Sequence, residues 1–209
     1  LAFDLAEKYS NPAMLLCDGI LAQMMEPVEI ARKEIMELPA KDWALTGCKG
    51  RKQNVIRSLY LEEKALENHN LRLQEKYKKI QETECRWECY DTEDADILLV
   101  AYGTTSRLCR SAMAELHKEG YKVGLFRPIS LWPFPAKALN AITTPKSNVL
   151  LMEMSFGHML EDVRLALAGK CDIGFYGRGG GEVMTVEQVL KEIRRQLAEK
   201  KIQPAVTHR

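Results

Sequence analysis

Residues 96–126 read DILLVAYGTTSRLCRSAMAELHKEGYKVGLF. The run Ile97–Ala101 is apolar without interruption and is followed by a turn, the pattern of a strand buried on both faces. Helical spacing takes over from Thr104 to Lys118, with Leu108, Cys109, Ala112, Met113 and Leu116 on one face, and Gly120 stops it. Lys122–Phe126 then reads as a second strand. A strand, a helix and a strand without polar alternation form the repeating unit of a parallel sheet.

The unit repeats toward the C-terminus. A loop Arg127–Pro135 and a short helix near Lys137–Ile142 lead to a third strand, Asn148–Met152. A helix over His158–Ala168 and a fourth strand, Asp172–Tyr176, follow. Gly177–Gly181 leads into a helix over Thr185–Ala198 with Val186, Val189, Leu190, Ile193 and Leu197 as its buried stripe. Thr185 with Gln188 fits a capping box. The fold class is therefore α/β, an open parallel sheet of four or five strands with helices on both faces.

Toward the N-terminus, Leu59, Leu66, Leu73 and Ile80 recur every seven residues, joined by Tyr77, among charged positions. This predicts a long helical arm with one narrow apolar seam, packed on its own subunit or paired over barely three heptads. Gln23–Asp42, broken by Pro27 and Pro39, reads as a linker. Leu1–Tyr9 reads as a helix ended at Asn11-Pro12, and Ala13–Cys17 as a short buried strand before Asp18-Gly19. The chain opens without Met or a capping residue, and a lone helix and strand cannot bury their apolar faces. Residues 1–22 are thus expected to be the tail of a parallel-sheet domain lying upstream, mobile by themselves or packed on the arm or a second copy. Residues 23–94 are assigned to the linker and arm, and residues 95–209 to the α/β domain.

Composition excludes several classes. The chain has 209 residues, 46% hydrophobic and 28% charged, with 30 Lys and Arg against 29 Asp and Glu. No electrostatic footprint for nucleic acid or an anionic membrane is present. Apolar runs reach about five residues, far below the roughly 20 that span a bilayer, and no signal peptide opens the chain, so a cytoplasmic protein is expected. Cys17, Cys48, Cys85, Cys89, Cys109 and Cys171 are too scattered for an iron–sulfur ligand run. Cys85 and Cys89 lack a second pair to complete a metal site. Cys17, Cys109 and Cys171 fall among apolar neighbours, where a free Cys behaves as a small hydrophobe, and reduced structural thiols are the reading.

Candidate site residues lie past the carboxyl ends of the strands, where open α/β sheets meet ligands and partners. In Tyr102-Gly103-Thr104-Thr105-Ser106 the hydroxyls are placed to cap a helix start, the commoner role, or to hold an anion. Arg127 precedes a rigid apolar loop carrying Trp132 between prolines, which suits an interface; Arg127 itself binds an anion or, more commonly, forms a structural ion pair. Glu153 and His158 stand in the third loop, without an adjacent nucleophile. Arg178, Gly179 and Gly180 belong to a glycine-rich loop that is not G-x-G-x-x-G. Thr104, Arg127, Trp132 and Gly177–Gly181 are expected to share one surface. No residue is assigned a catalytic, metal-binding or cofactor-binding role.

The succession AFDLAEKYSNPAMLLCDG, DILLVAYGTTSR, LFRPISLWPFP, NVLLMEMSFGHMLEDVR and YGRGGG resembles the α subunit of the 2-oxoacid:ferredoxin oxidoreductases. The similarity is nearest the branched-chain (2-oxoisovalerate) type, with the 2-oxoglutarate type as an alternative. It implies that residues 1–22 end a pyrimidine-binding domain and that the α/β domain is transketolase-C-terminal-domain-like. It further implies oxidative decarboxylation of a 2-oxoacid with coenzyme A, giving acyl-CoA, carbon dioxide and reduced ferredoxin. The implied cofactors are thiamine diphosphate with magnesium and iron–sulfur clusters on partner subunits, none of them bound to this piece alone. The implied partners are a thiamine-diphosphate-binding β subunit, γ and ferredoxin-like subunits, and ferredoxin. The family's pyrimidine-activating glutamate and substrate-contacting threonine fall upstream of Leu1, which leaves this piece the border of the active site and subunit assembly. His158 stands where relatives usually carry Gln. A non-catalytic interaction module is the other reading.

Overall fold

A computed structural model describes residues 1–29 and 40–205; Pro39 lies outside them. The chain divides into two compact units, Leu1–Gln23 with Lys78–Arg209, and Met24–Tyr77. Within the first, β1 (Trp87–Tyr90), β2 (Ile97–Val100), β3 (Val123–Pro128), β4 (Val149–Glu153) and β5 (Ile173–Gly177) make one sheet in the order β1-β3-β2-β4-β5. Strands β2 to β5 pair in parallel and β1 runs antiparallel to β3.

Alternate residues of the apolar runs go to opposite faces, as strand geometry requires. Ile97, Leu99 and Ala101 join a core with Cys109, Met113 and Leu116 of α3 (Gly103–Lys118) and Val189, Ile193 and Leu197 of α6 (Val186–Glu199). Leu98 and Val100 join a second core with Leu139 of α4 (Ala136–Ile142) and Met159, Val163 and Leu167 of α5 (His158–Leu167). Both faces are covered, which is why none of these strands alternates with polar residues.

The capping box forms as expected: Gln188 N donates to Thr185 Oγ1 at 3.3 Å, and Thr185 N to Gln188 Oε1 at 3.1 Å. Thr185→Ala should lower stability by about 1 kcal/mol, read as a lower denaturation midpoint with unchanged slope.

Three expectations need correction. β1 was not foreseen, because its residues alternate in burial and its pairing partners lie 35–41 residues away along the chain. Ala13–Cys17 forms no strand, and Met14, Leu15 and Leu16 are exposed, as is Cys17; a strand needs a neighbour for its backbone groups, and none pairs with it among the described residues. The arm is helical only over α2 (Ala65–Thr83). Lys64, at φ 61°, breaks the helix just before it, so Leu59, expected on its stripe, falls outside the helix. Only Ile80 of that stripe is buried.

The helix over the first residues is α1 (Ala2–Tyr9), closed by Ser10 in the left-handed region. Glu84, 6% exposed, holds it. The carboxylate accepts from Lys8 Nζ at 2.7 Å, Tyr9 Oη at 2.6 Å and Arg86 Nη2 at 3.4 Å. Tyr9 Oη also lies 2.8 Å from Thr83 Oγ1. Residues 1–11 are thus packed on the end of the arm, the second of the alternatives expected for them. The unit Met24–Tyr77 holds the first part of α2 and, from residue 40 to 64, a stretch of turns and irregular backbone.

Candidate functional site

The chain leaves β2 toward β3 on one side and β4 toward β5 on the other, so the direction of winding reverses between β2 and β4. A parallel sheet leaves a crevice at the carboxyl ends of the strands at such a point. The loops after β2 and β4 meet there.

The hydroxyls after β2 do not cap α3. Thr104, Thr105 and Ser106 are 3%, 2% and 2% exposed, Ser106 Oγ donates back to Gly103 O at 2.7 Å, and no side chain of Tyr102 caps the helix. The carboxylate of Asp18, from far upstream, lies at this helix start instead, 3.9 Å from where a Cβ on Gly103 would stand. It accepts from Leu21 N at 2.9 Å. Burial pushes its carboxyl up, but Thr104 and the amides of Leu21, Thr104 and Ile20 outweigh this and hold it below the usual range. The Thr104 hydroxyl approaches without reaching ordinary hydrogen-bond geometry. The anion that a helix N-terminus favours is therefore supplied by the chain itself.

At the carboxyl end of β4, Glu153 is fully buried. One carboxylate oxygen accepts from Met159 N at 3.0 Å, at the start of α5, and the other has no partner. Its main-chain oxygen accepts from Arg178 N at 3.1 Å. Burial first, then the charges of Glu153 and Asp18, push the Tyr102 phenol up; burial, Glu161 and Glu153 do the same to Asp162. Glu153 thus organises this loop without His158, whose side chain is exposed.

The glycines after β5 serve close packing. A Cβ on Gly177 would stand 2.3 Å from Ser155 O, and one on Gly179 would stand 2.6 Å from the Phe156 ring. The first would meet backbone, so the end of β5 and the loop after β4 lie this close because Gly177 lacks a side chain, whereas the second would only displace the exposed Phe156 ring. Gly180 is exposed in the same loop. Arg178 Nη2 pairs with Glu182 Oε2 at 3.1 Å.

Arg127 takes the structural alternative. Its Nη1 donates to Glu88 Oε2 at 2.7 Å across the β1–β3 pair, and Tyr90, then Arg127, lower the Glu88 carboxyl. The Trp132 loop, with a cis Trp132-Pro133 bond, is braced by Ser130, whose Oγ donates to Pro133 O at 2.7 Å and accepts from Arg86 N at 2.9 Å. Trp132 is left 55% exposed. The candidates thus lie along one edge but form no single pocket, since strands β3 to β5 spread over roughly 14 Å at about 4.8 Å per strand. Thr104, being buried, contributes no surface. Depressions of about 300 and 350 Å³ lie at the opposite edge, around Asp172 and Lys200 and around Asp91 and Lys122.

Residues 95–189 match the family described as pyruvate:ferredoxin oxidoreductase core domain II. The chain is 39% identical over 193 residues to ketoisovalerate oxidoreductase subunit VorB of Methanothermobacter marburgensis, covering 92% of this chain and 54% of that protein. Residues 95–189 belong to the matched domain family, and the chain is similar over nearly its whole length to a subunit of a 2-oxoacid oxidoreductase. It is also 31% identical over 201 residues to pyruvate synthase subunit PorA of Thermotoga maritima, covering 82% of this chain and 51% of the other. A solved 2-oxoglutarate:ferredoxin oxidoreductase from Magnetococcus marinus, with 2-oxoglutarate, coenzyme A and succinyl-CoA bound, shares the fold at TM-score 0.52 and 23% identity, over 66% of this chain and 24% of that one. The chain spans about half the length of the curated relatives it matches.

Proposed function

We propose that this chain is the C-terminal part of a subunit of a cytoplasmic 2-oxoacid:ferredoxin oxidoreductase acting on a branched-chain 2-oxoacid, 2-oxoisovalerate by preference. The reaction is oxidative decarboxylation with coenzyme A to acyl-CoA and carbon dioxide, with electrons passing through iron–sulfur clusters of partner subunits to ferredoxin. The observation that carries the reading is the 39–40% identity to two ketoisovalerate oxidoreductase subunits over 92% of this chain. Residues 1–22 close a domain begun upstream, and the α/β domain borders the active site and holds subunits together.

Thiamine diphosphate and its magnesium call for a set of oxygen donors. On this reading the β subunit and the domain upstream hold the cofactor, and this piece borders it.

The test is an activity screen of the full complex with 2-oxoisovalerate, 2-oxoglutarate and pyruvate. Preference for 2-oxoisovalerate supports the reading; a higher kcat/KM for 2-oxoglutarate replaces it with the 2-oxoglutarate type. Trp132→Ala should raise the Kd of subunit assembly about tenfold to 30-fold, as truncating an exposed aromatic anchor does, while leaving the melting temperature within a degree or so of the parent. Unchanged assembly with a large stability loss would place Trp132 in the domain's own packing.

A further inference from the structure

Between Trp43 and Leu61 the chain carries Lys49, Arg51, Lys52 and Arg57 and no carboxylate, although the whole chain balances 30 basic against 29 acidic residues. Three of these cations fall within four positions. The stretch has neither helix nor strand, yet it is braced from within. Arg51 donates through Nη1 to Lys52 O at 2.9 Å and through Nη2 to Ala44 O at 3.4 Å. Asn54 Nδ2 donates to Asp42 O at 2.6 Å and to Ala44 O at 3.1 Å.

Arg57 is also engaged, 3.7 Å from Glu62 and stacked over Tyr60. Lys49 and Lys52 have no ion-pair partner among the described residues. Alongside them Leu45, Val55, Ile56, Leu59 and Leu61 are 64–84% exposed. Concentrated apolar side chains left in water mark an interaction surface, and bunched like charges favour a partner of opposite sign. One occupant satisfies both.

We infer that Trp43–Leu61 is a docking loop for an acidic face of a protein subunit of the same complex. Carboxylates of that face meet Lys49 and Lys52, and its aliphatic side chains cover Val55, Ile56, Leu59 and Leu61. The inference rests on the reading that this chain works as one subunit among several. A single nucleic-acid strand would want stacking platforms, but the Tyr60 ring already stacks on His69 at 4.7 Å, Lys41 lies over the Trp43 ring, and the other exposed apolar side chains are aliphatic. A membrane surface would want an amphipathic helix, and this backbone is irregular.

The experiment uses the full-length protein and its partner subunits, with a Lys49→Glu/Lys52→Glu double variant that leaves the Arg51 brace intact. Subunit association by sedimentation should weaken at least tenfold at low salt, and the gap to the parent should narrow as salt rises to about 0.5 M. Ile56→Ser should weaken association at all salt concentrations. Lys146→Glu, an exposed charge elsewhere, should change nothing. If the double variant folds poorly, Lys49→Gln/Lys52→Gln should flatten the salt dependence instead. Failure of the parent chain to join any partner overturns the functional reading and this inference together. Assembly of the parent with an unchanged Kd and salt dependence in both double variants overturns the docking loop alone, as does salt-sensitive binding of the loop to RNA or anionic vesicles in place of the subunits.

Discussion

Glu84→Ala is expected to lower the free energy of unfolding by about 2 kcal/mol and to free α1 from the rest of its unit. The carboxylate is 6% exposed and gathers Lys8, Tyr9 and Arg86, and hydrogen bonds to a charged group contribute about 1.5–3 kcal/mol. The estimate stays low in that range because Lys8 and Arg86 are about half exposed and are screened by solvent. Hydrogen exchange would show the change as lost protection over Ala2–Tyr9, and equal protection in the variant would refute the role. The same latch makes stability depend on pH. Lys8 first, then Tyr9, pull the Glu84 carboxyl down from 4.5 to about 2. A carboxyl with a depressed folded-state pKa stabilises fully above its unfolded value and progressively less below it. The contribution of Glu84 should therefore be intact above about pH 4.5 and lost as pH falls toward 2, and the difference between parent and Glu84→Gln should shrink over that window.

The largest loss should follow Leu99→Ala, about 3 kcal/mol or more. Leu99 sits on the central strand, unexposed, with Leu125 and Leu150 as neighbours in the ladder, and it belongs to the core beneath α3 and α6. A buried Leu→Ala change typically costs 2–5 kcal/mol, depending on how far the site can collapse; a strand held on both sides cannot collapse far. Leu165→Ala, at a position 79% exposed, should stay within about 0.5 kcal/mol. Urea denaturation followed by far-ultraviolet circular dichroism distinguishes the two.

Strands β2 to β5 were legible because their burial is written locally: each is a short apolar run bounded by turn residues. The capping box at Thr185 was legible for the same reason. β1 was not, because Trp-Glu-Cys-Tyr becomes a strand only when Arg127 and Phe126 lie beside it, and no local pattern encodes that. The site divides along the same line. The edge on which Gly103, Arg127, Trp132, His158 and Arg178 stand follows from the order of strands and helices. What fills the α3 start does not, since Asp18 reaches Gly103 from 85 residues away and nothing around Asp18-Gly19 announces the contact. Glu153 was noticed beside His158, but its partner is a main-chain amide, which side-chain identities cannot reveal. The glycines of Gly177–Gly181 were visible as unusual, and their cause, contact with Ser155 and Phe156, lay in another loop.

The pairing of β2 also sets a timetable. Ile97 finds Val123 and Leu98 finds Val149, so the innermost strand of the sheet has no near neighbour along the chain. Loops this long must close before the contacts they bring are made, which slows folding. During synthesis at about 5–20 residues per second, Ile97–Ala101 is therefore ready several seconds before Val149–Glu153 can cover its second edge. In that interval the nascent chain presents an apolar strand with an open side, so a ribosome stalled short of Val149 would release a species prone to aggregate, whereas one stalled within α6 would release a sheet whose strands are all paired.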